Sequence, residues 1–167
     1  MPDISQLTPK EKSVMLLMAE SLSNKEIARL LAVEASTVKS YVSSILSKLG
    51  LQSRLQVSLF AVTSGLIRLD ADFYGQVLGA TVLSAPPAKL TPRQVDIVRM
   101  AALGLRLKDM ARCLHISLYT VKAHMQNVLR RLHVTDRYTV IIASIHHGLI
   151  SMDEIGGGMI KCKSVST

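Results

Sequence analysis

The sequence predicts an all-α protein built as two four-helix units in tandem. Two observations predict it. The chain repeats itself: Leu7–Asp70 aligns without a gap on Leu90–Asp153, and about 20 of the 64 aligned positions are identical. Within each copy the apolar residues recur at helical spacing, and the segments between them open on N-cap residues. The 167 residues divide into a first domain over 1–70, a linker over 71–89, a second domain over 90–153 and a flexible tail over 154–167. A unit of roughly 64 residues is near the lower limit for folding without disulfides or metal.

The elements follow in order. Thr8-Pro9-Lys10-Glu11 and Thr91-Pro92-Arg93-Gln94 each combine an N-cap hydroxyl, a proline at the first helical position and a partner to close a capping box. Val14, Leu17 and Met18 form the first helix's apolar stripe, matched by Ile97, Met100 and Ala101. A second helix runs from Ser23 to about Ala32, capped by Ser23 and Glu26, with Ile27, Leu30 and Leu31 expected to face inward. The second copy has Arg106 and Leu107 there and loses the cap, although Asp109 still complements the helix dipole. Gly104 supplies a left-handed turn where the first copy has Ser21.

A third helix follows a very short turn, at Ser36–Leu49 and Tyr119–Leu132. Val38, Val42, Ile45 and Leu49 line one face, as do Val121, Met125, Val128 and Leu132. The opposite face is polar in both copies. Two short helices joined by a tight turn, the second with a solvated face, make a helix-turn-helix. The fourth helix starts at Ser53 or Asp136 and breaks at Gly65 or Gly148. Its apolar surplus marks Val57, Phe60, Val62, Val140, Ile141 and Ile145 as candidate dimerisation residues. In the linker, Phe73, Tyr74, Val77 and Leu78 fit a short helix, and Ala85-Pro86-Pro87-Ala88 a stiff extended segment.

The net charge is +8 and the isoelectric point about 9.8. The first copy carries 8 Lys/Arg against 5 Asp/Glu and the second 9 against 4. Both units therefore favour an anionic partner, nucleic acid first. The two cysteines make no disulfide framework, and Cys113, standing where the first copy has Leu30, is expected to be a buried small hydrophobe. A reducing cytoplasm fits, with no signal peptide and no apolar run long enough to span a membrane. The five histidines are not spaced as a ligand set, the triple glycine at 156–158 is not a phosphate loop, and no catalytic grouping is present. No cofactor, metal or enzymatic activity is expected.

The arrangement resembles the LuxR/FixJ/NarL-type (GerE-like) DNA-binding domain. The residues that carry the resemblance are Leu7-Thr8-Pro9-Lys10-Glu11, Ser23-Asn24-Lys25-Glu26-Ile27-Ala28, Thr37-Val38-Lys39-Ser40-Tyr41 and Ile45-Leu46-Ser47-Lys48-Leu49-Gly50. In the second copy they are Leu90-Thr91-Pro92-Arg93, Thr120-Val121-Lys122-Ala123-His124 and Leu129-Arg130-Arg131-Leu132. The resemblance implies bacterial transcriptional regulation, with each third helix in the major groove of double-stranded DNA and dimers formed through the fourth helix. Members usually carry a receiver or sensing domain ahead of this unit. Here six residues precede Leu7, so control by receiver phosphorylation is not expected.

Lys39 and Lys122 are the candidate base or phosphate contacts at the start of each recognition helix. Ser40, Ser43 and Ser47 continue that face in the first copy; Ala123, Gln126, Asn127 and Arg130 do so in the second. Gln126 suits adenine and Arg130 guanine or phosphate. Thr37, Thr120, Lys48, Arg131, Arg54 and Arg137 are assigned to the phosphate backbone, with tying down the fourth helix the alternative for Arg54 and Arg137. The serine-rich first face should bind and discriminate weakly. The expected function is a regulator reading paired, unlike half-sites, as a homodimer or an intramolecular pseudo-dimer, with RNA polymerase a further possible partner. The rival reading is an anti-activator that sequesters another LuxR-type regulator through the fourth helices.

Overall fold

In the computed structural model, which describes residues 3–86, 89–152 and 155, every regular element is helical. The chain divides into two compact units between Val77 and Leu78.

In the first unit, a 3₁₀ turn at Ile4–Gln6 leads into α1 (Pro9–Ala19), α2 (Asn24–Leu30), α3 (Ala35–Leu49) and α4 (Arg54–Thr63). Helix α1 packs on α3 and α4, and α2 packs on α3. The starts are those the sequence marks. Thr8 and Ser23 both close capping boxes, with Thr8 N–H donating to Glu11 Oε2 at 2.7 Å and Ser23 N–H to Glu26 Oε2 at 2.7 Å. Ser53 caps α4 through Gln56 N–H. Val14, Met15, Met18, Ile27, Val38, Ile45 and Val57 are sealed in the core, each burial stabilising by about 1.5–3 kcal/mol.

The second unit repeats the plan. Its helices are α6 (Pro92–Ala102), α7 (Leu107–Cys113), α8 (Leu118–Arg131) and α9 (Arg137–His146), with α6 on α8 and α9, and α7 on α8. Thr91 and Asp136 cap with boxes, and Ser117 caps α8. Arg106 gives α7 no side-chain cap, as expected; instead its Nε donates to Asp109 Oδ2 at 2.9 Å. Helix α5 (Ala71–Ser84) occupies most of the expected linker and is interrupted at Gly79, whose φ of 74° and ψ of 165° suit glycine alone. Pro87 and Ala88, and most of the expected tail, lie outside the described residues.

Backbone geometry shows the repeat more sharply than the side chains do. Each unit has four left-handed residues at matching places: Ser21 and Gly104, Ala32 and His115, Gly50 and His133, Gly65 and Gly148. Each ends a helix or the turn after one.

Three expectations about facing are corrected. Leu30 does not face inward: it is 63% exposed, because the seven-residue α2 turns only Ile27 and Ala28 fully into the core. Cys113, at the aligned position of α7, is accordingly half-buried, and it is not a free thiol. In α1 and α6 the buried stripe runs through Met15 and Val98, while Leu17 and Met100 are only half-buried.

Candidate nucleic-acid interface

Helices α3 and α8 each bury one face and present the other. In α3, Val38, Ile45 and Leu49 are buried, and Lys39, Ser40, Ser43 and Ser47 are exposed. In α8, Val121, Met125 and Val128 are buried, and Lys122, Ala123, Gln126 and Arg130 are exposed. The sequence-predicted reading faces are thus assembled, one per unit. Asn127 is half-buried and accepts from Arg130 Nη2. Thr37 and Thr120 are half-buried at the helix entries, and Thr120 Oγ1 lies 2.8 Å from Ser117 Oγ, so that hydroxyl already has a partner within the cap.

The remaining basic residues divide. Lys48, expected on the phosphate backbone, is instead turned to the α1 cap: its Nζ donates to Glu11 Oε2 at 2.8 Å. Ser44 Oγ donates to the other oxygen, Glu11 Oε1, at 2.6 Å. Glu11 is 4% exposed. Burial pushes its carboxyl upward, but the hydrogen bonds from Lys48, Ser44 and Thr8 win and hold it at about 2. In the second unit Gln94 stands where Glu11 does. It serves the same capping box, accepting from Thr91 N–H at 2.9 Å, with no charge to capture a cation. Arg131, at the position of Lys48, is exposed and donates to the Lys89 carbonyl.

Arg54 and Arg137, assigned to phosphates with internal tying of the fourth helix as the alternative, both make internal hydrogen bonds. Arg54 Nη1 donates to Asn24 Oδ1 at 2.7 Å and Nη2 to the Leu22 carbonyl. Arg137 Nη2 donates to the carbonyls of Ala101, at 3.0 Å, and Leu105. Leu22 and Leu105 are aligned positions, so each arginine clasps the start of the fourth helix to the turn before the second. Burial pushes the Arg137 guanidinium down to about 10, still protonated at neutral pH. Both arginines are half-buried, with their guanidinium groups donating to carbonyls of the fold.

The fourth-helix residues expected at a dimer surface are mostly core. Val57, Val62, Val140 and Ile141 are 0–3% exposed, and only Phe60 and Ile145 are half-buried. Apolar surplus in the sequence did not distinguish a second surface from a helix buried on several sides, as α9 is from Tyr138 to Ser144.

Sequence reasoning passed over one exposed residue on the α8 face. Tyr119, the second residue of that helix, is 82% exposed. The signal was available: Tyr119 precedes Lys122 by three residues and so lies on its face. Among the described residues no group of His, Cys, Asp and Glu is arranged to hold a metal, and no helix is long and apolar enough to cross a membrane.

Residues 5–61 and 88–144 each match the family described as bacterial regulatory proteins, luxR family. The nitrate/nitrite response regulator protein NarL of Escherichia coli K12 is 43% identical over 58 residues, 35% of this chain and 27% of that protein. The DNA-binding transcriptional activator DevR/DosR of Mycobacterium tuberculosis is also 43% identical over 58 residues, with the same coverage of 35% and 27%. The quorum sensing-dependent transcriptional regulator VjbR of Brucella abortus is 31% identical over 90 residues, 54% of this chain and 35% of that protein. The chain thus spans about a quarter to a third of the length of these curated relatives. No solved structure matches it significantly.

Proposed function

The chain belongs to the luxR family of bacterial regulatory proteins, and from that premise we propose that it regulates transcription by binding double-stranded DNA in the cytoplasm, with the second unit supplying most of the grip. The observation that carries the unequal roles is the exchange of Glu11 for Gln94. In the first unit a buried carboxylate holds Lys48, leaving Lys39 among serines on the exposed face of α3. In the second, Lys122, Arg130 and Arg131 are all exposed. Phosphate neutralisation dominates affinity, so three exposed cations with no acidic partner among the described residues outweigh one such cation in α3, where Lys48 is exposed but paired with Glu11. The two faces read unlike half-sites, α8 with Gln126 and Arg130 toward base edges and α3 with its serines.

The test is fluorescence anisotropy on a DNA duplex selected by the full chain from a random pool. Lys122→Ala with Arg131→Ala is expected to weaken binding at least tenfold more than Lys39→Ala with Lys48→Ala. Equal or reversed losses overturn the unequal roles. Failure to select any DNA, alongside tight binding to another luxR-family regulator, would replace this reading with sequestration of that regulator. The serine-rich, charge-poor face of α3 is what favours that second reading.

A further inference from the structure

Tyr119 is the most open of the large hydrophobic side chains among the described residues, at 82% against 63% for Leu30 and 41% for Leu66. It stands second in α8, and Ala123 follows four residues on, also exposed. Residues four apart lie one above the other on a helix face. Lys122 and Gln126 flank the pair on the same exposed face. The cationic face of α8 therefore carries an apolar strip at its N-terminal end, the end of a recognition helix that contacts base edges. The aligned residues of α3 are Ser36 and Ser40, both exposed, and Ser40 Oγ is bonded back to the Ser36 carbonyl at 3.2 Å. The two faces differ here in kind, apolar against hydroxyl.

We propose that Tyr119 and Ala123 together read the 5-methyl group of thymine in the half-site taken by the second unit, a role resting on the DNA-binding reading above. The chemistry is specific. In the major groove the thymine methyl is the one apolar feature a base pair offers, and small apolar side chains and aromatic rings are the groups that meet it. Lys122, adjacent on the helix, holds the phosphates or a guanine and keeps the strip pressed to the groove. A phosphate contact alone would need no ring and no methyl at 123. The first unit, with serines in these places, lacks this preference, so the methyl strip makes the half-sites unlike.

The experiment uses the full chain and its selected duplex, with each thymine replaced in turn by deoxyuridine, which removes the methyl and nothing else. Loss of one buried methyl is expected to weaken wild-type binding about three- to fivefold at one or two positions within a single half-site. Tyr119→Ser with Ala123→Ser is expected to abolish that sensitivity while leaving the salt dependence of binding unchanged. Tyr119→Phe is expected to keep it, since the ring and not the hydroxyl meets the methyl. Tyr119 is exposed, so these variants are expected to fold, as circular dichroism would verify. Binding that tolerates deoxyuridine everywhere overturns the proposal and leaves DNA binding intact. So does a uniform loss in Tyr119→Phe equal to that in Tyr119→Ser, which would mark a phosphate contact through the hydroxyl. Wild-type chain that selects no DNA overturns both readings together.

Discussion

A single atom-for-atom exchange, carboxylate for amide, separates the two units at Glu11 and Gln94. Both side chains are buried at 4% exposure and both accept the N-cap hydrogen bond, so the fold does not distinguish them. Charge does. Glu11 is held at about 2, well below its usual 4.5. A carboxyl whose folded value is depressed stabilises the native state fully above its unfolded value, and that contribution is lost as pH falls from about 4.5 toward 2. Glu11→Gln is therefore expected to flatten part of the acid-induced fall in melting temperature between pH 5 and pH 2.5, measured by circular dichroism against wild type. Parallel pH profiles would show that the depressed Glu11 carboxyl contributes nothing to the native state. In the same variant Lys48 is released from its carboxylate, and the slope of log affinity against log salt is expected to steepen by at most about 0.9 for the one added phosphate contact.

At the scale of elements, most of the fold was legible because helix starts are written in short range. Thr8, Ser23, Ser53, Thr91 and Asp136 cap where the sequence places them, since a cap needs only a side-chain oxygen within three residues of a free N–H. Facing was less legible. A seven-residue helix makes fewer than two turns, so spacing alone did not reveal that Leu30 points to solvent. Arg54 and Arg137 left two readings open for another reason: a guanidinium suits a phosphate and a row of carbonyls, and only the folded turn shows that the carbonyls of Leu22 and Leu105 are within reach. The left-handed turn before α7 was read correctly from Gly104, and its counterpart Ser21 holds φ at 67°. A non-glycine residue there costs about 1 kcal/mol. Ser21→Gly is therefore expected to raise the urea midpoint of the first unit and Gly104→Ser to lower that of the second, each by about 1 kcal/mol in unfolding free energy. Unchanged midpoints would mean that the strain is relieved by neighbouring bonds.

For the whole molecule, the proposal of two unlike reading heads on one chain makes a prediction about half-site spacing. The simplest half-site spacing for the proposed one-chain pairing is one helical turn of DNA, about 34 Å. Selection from a random pool by the full chain is accordingly expected to return two different half-sites with centres one turn apart, about 10–10.5 base pairs, occupied by one chain in sedimentation equilibrium. Lys122→Glu is expected to abolish selection of one half and Lys39→Glu to relax the other. A two-fold symmetric consensus bound by two chains would instead mean that like units pair across molecules. The second recognition helix of each chain would then serve a separate site.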